Sequence, residues 1–96
     1  MDRDTMVEVH GEYVMVLSSV GNPDLGQFAP MSEPAAVKGK TLAAMVRTAE
    51  EYRDFWDLGG GNWVDPEIRT SHGHRIGRIS YNGRVWGMDG SEIKVP

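Results

Sequence analysis

The sequence predicts an α+β domain in which one helix packs on one face of an antiparallel sheet of about four strands. Three observations lead to this fold class. An amphipathic stripe runs through residues 41–56, Asn82-Gly83 lies between two apolar, β-favouring runs, and further turn residues separate the remaining segments. The resulting order of strand, long loop, helix and β-meander is typical of an α+β domain and differs from alternating βαβ units.

Length and composition predict a single globular domain over residues 1–96, with residues 1–6 frayed. The chain is 40% hydrophobic and 25% charged, which is ordinary for a folded domain. Its longest apolar run is far shorter than the roughly 18 residues that span a bilayer, so no membrane association is expected. The absence of cysteine excludes disulfides and thiolate metal sites and favours a cytoplasmic location. We expect a monomer or a small homo-oligomer.

The first predicted strand covers residues 12–20, which are rich in valine and aromatic residues. Residues 7–9 are a candidate partner strand. Residues 21–34 hold three prolines and are predicted to form a turn and an irregular loop. The loop is expected to pack down on the domain because it carries Leu25, Phe28 and Met31.

The helix is predicted over residues 41–56. Its apolar residues recur at i, i+3, i+4 and i+7, which places them in one stripe: Leu42, Met45, Val46, Ala49, Tyr52 and Trp56. Thr41 is the expected N-cap. Gly59, the first of three consecutive glycines, is expected to take the left-handed position that ends a helix.

The C-terminal third is predicted to be a β-meander. Residues 63–70 form its first strand, which Pro66 restricts to an edge or a bulge. Two further strands over residues 75–81 and 84–86 flank Asn82-Gly83, and residues 92–95 form a short last strand. Asn-Gly between such runs favours a two-residue type I′ turn.

A type I′ turn at Asn82-Gly83 also fixes the expected register of the hairpin. Ser80 would lie opposite Val85, and Ile79 would lie opposite Trp86. Because side chains alternate along a strand, one face would carry Ile79, Tyr81 and Trp86, and the other would carry Arg78, Ser80 and Val85.

Charge is unevenly distributed along a chain whose net charge is −4. The stretch from residue 50 to 67 contains one arginine and six acidic residues, namely Glu50, Glu51, Asp54, Asp57, Asp65 and Glu67. The stretch from residue 69 to 84 contains four arginines, two histidines and no acidic residue. Such a two-signed surface can engage partners of either charge, although a solvated surface that maintains solubility is the simpler interpretation.

Residues suited to catalysis or metal binding do not form a recognisable set. His72-Gly73-His74 could offer two imidazoles to a metal, but the pair lies in a turn and lacks a third ligand at a recognised spacing. Gly59-Gly60-Gly61 follows a helix and does not open one, which is the wrong context for a phosphate loop. We therefore expect a non-enzymatic protein with no catalytic residue, no metal and no cofactor.

The basic hairpin favours a second class of function, the binding of single-stranded nucleic acid. Arginine contacts phosphates and aromatic rings stack on bases, and the candidate residues are Arg75, Arg78, Tyr81 and Arg84, with Trp86 as a further stacking residue. Tyr81 and Trp86 suit the core equally well. The acidity of the whole chain opposes this interpretation.

Three segments resemble a family of small bacterial mobile-element proteins, found in phages and plasmids. They are LSSVGNPD at residues 17–24, DLGGGNW at 57–63 and RISYNGRVW at 78–86. This chain departs from the family in the turn at residues 71–74, which is usually more polar. The resemblance implies no catalytic residue. It implies a setting in which short acidic proteins act as stoichiometric inhibitors of host defence, anti-CRISPR proteins among them.

This setting and the acidic cluster together lead to the leading hypothesis. The protein would inhibit a host protein or complex without catalysis. Its clustered carboxylates would occupy a basic surface that otherwise holds nucleic-acid phosphates, and association would be fast and salt-sensitive. The residues expected to bind the partner are Glu50, Glu51, Asp54, Asp57, Asp65 and Glu67.

Overall fold

The computed structural model describes residues 12–96, which form one α-helix and a six-stranded antiparallel sheet. The elements, in chain order, are β1 (Tyr13–Leu17), β2 (Ala35–Gly39), α1 (Leu42–Phe55), β3 (Glu67–Thr70), β4 (Arg75–Ile79), β5 (Val85–Gly87) and β6 (Glu92–Ile93). The predictions for residues 1–6 and 7–9 lie outside the described residues.

The α+β class is confirmed, but the expectation of about four strands is wrong because the sheet has six, in the order β2-β1-β3-β4-β5-β6. The main omission is β2, which directly follows Pro34 at the end of the proline-containing loop. Its sequence, Ala-Ala-Val-Lys-Gly, has little β propensity, and it is held instead by antiparallel pairing with β1 along its whole length.

Helix α1 packs against β1 and β2 and covers one face of the sheet. The core between them is made of apolar side chains, namely Met15, Leu17, Met45, Ala49, Tyr52, Leu58, Ile68, Ile79 and Val85. Thr41 is the N-cap, as predicted, and its Oγ1 accepts a hydrogen bond of 3.0 Å from the backbone N–H of Ala44.

The helix ends differently from the prediction. Asp57, not Gly59, takes the left-handed conformation, with a φ of 53°. The N–H of Leu58 donates to the carbonyl of Arg53 at 2.9 Å, and the N–H of Asp57 donates to that of Asp54 at 3.2 Å. This is the Schellman arrangement, in which aspartate substitutes for the usual glycine because its short side chain tolerates positive φ.

Three successive loops of the meander share one conformation. In each, a glycine with φ between 84° and 91° is the last of three loop residues. The glycine N–H donates to the carbonyl three residues earlier, and the carbonyl after the glycine accepts from the residue that begins the turn. The loops are Ser71-His72-Gly73, Tyr81-Asn82-Gly83 and Met88-Asp89-Gly90. This pattern is a type I turn followed by a glycine bulge.

The bulged loop overturns the predicted two-residue turn and its register. Ile79 pairs with Val85, and Arg78 pairs with Trp86. Only Gly83 has positive φ, whereas a type I′ turn requires it at Asn82 as well. Because a slip of one residue reverses the faces, Val85 enters the core and Trp86 lies on the opposite face beside Arg78.

Two of the three family-like segments meet in a buried polar cluster. Asn62 is 7% exposed, and its Nδ2 donates to the carbonyl of Val20 at 3.0 Å and to Oε1 of Gln27 at 2.8 Å. Its Oδ1 accepts from the N–H of Gly59 at 3.0 Å. Gly61 is required here because a side chain on it would collide with the amide of Asn22. These segments therefore stabilise the backbone of the long loop. The expectation that its apolar side chains pack down on the domain is wrong, because Leu25, Phe28 and Met31 are 70%, 85% and 40% exposed.

Candidate functional site

The first candidate surface is the acidic helix end, which comprises Glu50, Glu51, Asp54 and Asp57. Three of these carboxylates are exposed to solvent, and Glu50 is half-buried. Glu50 is less accessible because its carboxylate lies against Gly83 of the β4–β5 loop. Four of the six predicted partner-binding acids are thus brought together at the C-terminal end of α1.

An exposed phenylalanine lies within this surface. Phe55 is 79% exposed although it is a large apolar residue in the last turn of α1. It shares a helix face with Glu51 at i−4. Its ring meets Trp56 edge-on, with the centroids 5.4 Å apart. The acidic helix end therefore includes an apolar side chain that lies outside the core, next to Glu51.

Arg53 connects the acidic helix end to the β4–β5 loop by a hydrogen bond. Its Nε donates to Oδ1 of Asp54 at 2.9 Å, and its Nη1 donates to the carbonyl of Tyr81 at 2.8 Å. The hydrogen bond to Asp54 raises the pKa of Arg53 above its usual value. Its guanidinium carbon also lies 5.4 Å from the centroid of the Tyr81 ring. Asp54 thus holds in place the arginine that joins helix and hairpin.

Tyr81 lies on the helix-covered side of the sheet, away from the arginines with which it was grouped by sequence. Its hydroxyl donates to the carbonyl of Leu58 at 3.2 Å. Its ring meets that of Trp63 edge-on at 6.2 Å. These contacts give Tyr81 a role in joining the β4–β5 loop to the segment after α1.

The second candidate surface is the open face, the side of the sheet opposite α1. Asp65 and Glu67 lie here, separate from the acidic helix end. Glu67 Oε1 pairs with Arg69 at 2.7 Å, and Glu67 Oε2 pairs with Arg75 at 3.0 Å. Asp65 pairs with Arg78. The six predicted acids therefore form two groups, because the chain crosses from the helix side to the open face between Asp57 and Asp65.

Trp86 is the aromatic residue of the open face. The guanidinium carbon of Arg78 lies 6.0 Å from the centroid of its indole ring. The indole Nε1 donates to Oγ of Ser80 at 3.1 Å, which fixes the orientation of the ring. A cavity of about 330 Å³ adjoins these residues and is also lined by Gly77, Gly87 and Met88.

The other half of the open face is an apolar groove of about 440 Å³. Val16 is 58% exposed and Val64 is 37% exposed in this groove, so it presents apolar surface to solvent. Lys38 and Arg69 flank Val14 in neighbouring strands. The groove shares Asp65 and Glu67 with the cavity beside Trp86, so the two form one continuous surface.

The histidines and metal chemistry can be assessed over residues 12–96. His72 and His74 are exposed at the β3–β4 loop. Within this part of the chain, no group of three or more potential ligands could hold a metal ion. In the same range, no helix is long and apolar enough to cross a bilayer.

No protein-family model matches the chain, and comparison with curated proteins and with solved structures gives no significant match. The likeness of the three segments to mobile-element proteins therefore stays a prediction. Any function must be inferred from the acidic helix end and the open face themselves.

Sequence reasoning overlooked Phe55 and assigned Trp86 to the wrong face of the sheet. Phe55 carried a readable signal, since it is an aromatic residue outside the apolar stripe of a clear amphipathic helix. Trp86 was named from the sequence as a candidate stacking residue, but its face could not be predicted, because it depends on a one-residue difference between two hairpin loops that both suit Asn-Gly sequences.

Proposed function

We propose that this protein is a non-enzymatic binding protein that occupies a basic surface of a host protein with its acidic helix end. The observation that carries the proposal is the 79% exposure of Phe55 at a helix end that also carries the exposed carboxylates of Glu51, Asp54 and Asp57. Many protein interfaces combine an aromatic anchor at their centre with a polar rim, and Phe55 with the neighbouring carboxylates would supply these two parts.

Each component of this surface supports a different part of binding. The carboxylates would accelerate association with a basic partner and make it salt-sensitive. Phe55 would enter an apolar pocket and slow dissociation, because burying an aromatic ring removes a large apolar area from water. A nucleic-acid-binding protein of a host defence complex offers such a basic surface, and this partner class agrees with the mobile-element resemblance.

The acidic helix end is also rigid, which lowers the entropic cost of binding. The Schellman turn at Asp57 fixes the end of α1, and Arg53 joins the helix to the β4–β5 loop. A surface held in its binding conformation loses little freedom on association.

The test compares two variants with equal changes in charge. Glu51→Lys with Asp57→Asn alters the acidic helix end, leaves Asp54 on Arg53, and places at position 57 a residue that tolerates positive φ. Asp24→Asn with Glu33→Lys makes the same charge change at two exposed acids elsewhere. Each immobilised protein is used to capture partners from bacterial host lysate. The captured partner is then titrated against the wild type, the helix-end variant, the control variant and Phe55→Ala.

We expect the helix-end variant to bind the partner at least about tenfold more weakly, chiefly through slower association. Phe55→Ala should mainly accelerate dissociation. The control variant should bind like the wild type. Equal affinity of the wild type and a folded helix-end variant would exclude the acidic helix end as the binding surface.

A further inference from the structure

Positive charge is concentrated on the open face of the sheet. By strand alternation and pairing, this face carries more cationic than acidic side chains. The cationic ones include Lys38, Arg69, Arg75, Arg78 and Arg84, and the acidic ones include Asp65, Glu67 and Glu92. The chain as a whole has a net charge of −4. The open face is therefore a locally basic surface on an acidic protein, which directs polyanions to this side.

The open face also offers an aromatic ring in a fixed position. Trp86 is half-buried, its Nε1 is held by Ser80, and Arg78 lies over its ring. Bases of a single strand stack on such rings, and an adjacent guanidinium can stack or contact phosphate. Trp86 was among the stacking residues expected from the sequence, whereas Arg69 was not among the expected phosphate contacts.

We infer that the open face binds single-stranded nucleic acid, with Trp86 as the stacking residue and the surrounding arginines as phosphate contacts. The apolar groove along Val14, Val16 and Val64 would receive further base or sugar surface beside Lys38 and Arg69. A single strand fits better than a duplex, because only unstacked bases present their faces to an indole. This site is independent of the acidic helix end.

The ion pairs of the open face define how such a site would be controlled. Glu67 forms ion pairs with both Arg69 and Arg75, and Asp65 forms an ion pair with Arg78. These pairs are partly exposed, with Glu67 at 39% and Arg75 at 57%. Exposed pairs are weak, so phosphate oxygens can replace the carboxylates. The two acids would act as competitors for the arginines, and removing one should strengthen binding.

The experiment measures fluorescence anisotropy of labelled, mixed-sequence single strands of about 12 nucleotides at low salt, a length within typical site sizes. DNA, RNA and a duplex of the same sequence are compared. The variants are Glu67→Gln, Trp86→Leu and Arg78→Ala. Glu33→Gln and Arg47→Ala, at two exposed residues on the helix side, provide controls of matched charge change.

We expect Glu67→Gln to bind the single strand several-fold more tightly than the wild type, because it releases two arginines. Trp86→Leu should weaken binding about tenfold, and Arg78→Ala should weaken it and reduce its dependence on salt. The helix-side controls should match the wild type. All variants are first compared by thermal melting, so that loss of folding is recognised separately.

Three results would overturn the inference. The first is no binding by the wild type or by Glu67→Gln at tens of micromolar. The second is duplex binding as tight as single-strand binding. The third is displacement of the oligonucleotide by polyglutamate at equal charge concentration, which would indicate an acidic protein segment as the occupant. None of these results bears on host-protein binding by the acidic helix end, since that surface is tested with other variants.

Discussion

The two faces of the sheet follow different physical rules. The face under α1 is closed by apolar side chains, and Leu17, Ile68 and Ile79 are at most 1% exposed. The open face alternates exposed valines with ion pairs and one indole ring. Stability therefore comes mainly from one face, and the proposed nucleic-acid site uses the other.

This comparison also shows how much depends on one residue of register. Had the hairpin adopted a two-residue turn, Trp86 would lie under the helix and Val85 would face solvent. The bulged loop at Gly83 instead sends Val85 into the core and Trp86 to the open face. The loop thereby decides which side can bind.

The largest expected effect separates the two faces directly. Ile79→Ala removes a fully buried side chain from the core and should lower the free energy of unfolding by about 2–5 kcal/mol. Val16→Ala on the open face should lower it by less than about 1 kcal/mol, because Val16 is 58% exposed. Urea denaturation checks both variants, and equal losses would show that the open face is covered in solution.

A second variant tests the β4–β5 loop, which fixes the register of the hairpin. Gly83→Val places a β-branched residue at a φ of 84° and should cost about 1–3 kcal/mol. The new side chain would also meet the carboxylate of Glu50, so the substitution is repeated in a Glu50→Ala background to isolate the backbone cost. A melting temperature unchanged in both backgrounds would contradict positive φ at this position.

Buried polar contacts should contribute more to the free energy of unfolding than exposed ones, as the buried face of the sheet does compared with the open face. Asn62→Ala leaves the carbonyl of Val20 and the N–H of Gly59 without their partner and should cost about 1–3 kcal/mol. Glu67→Gln disrupts two ion pairs on the open face, yet should cost less than about 1 kcal/mol. Urea denaturation of the two single variants gives their free energies of unfolding. A larger decrease for Glu67→Gln than for Asn62→Ala would contradict this prediction.

The smallest expected effect concerns acid sensitivity at the β5–β6 loop. Hydrogen bonds from the Oγ–H and N–H of Ser91 lower the pKa of Asp89 below its usual value. Because the folded state lowers this pKa, the ionised Asp89 stabilises the fold when the pH is above its ordinary pKa of about 3.9. This stabilisation is lost as the pH falls through the pKa of the folded state. NMR titration should give a lower pKa for Asp89 in the wild type than in Ser91→Ala, and equal values would exclude the hydroxyl contact.

Local signals predicted the helix well, and the sheet less well. The stripe and the Thr41 cap fixed α1 to within a residue, because periodicity and capping depend on near neighbours. The strand β2 escaped prediction since it is held by pairing with β1. Asp65 and Glu67 were grouped with the helix acids because they are close in sequence. Closeness in sequence does not tell on which face of the sheet the side chains of the next strand lie.

The register of the β4–β5 hairpin is the central claim, and NMR distance restraints test it most directly. Cross-strand contacts between backbone protons should join Ile79 with Val85 and Arg78 with Trp86. Side-chain contacts should join the Trp86 indole with Arg78 and Ser80. Contacts joining Ser80 with Val85 and Ile79 with Trp86 would contradict the account, since they would move Trp86 under the helix and remove the stacking residue from the open face.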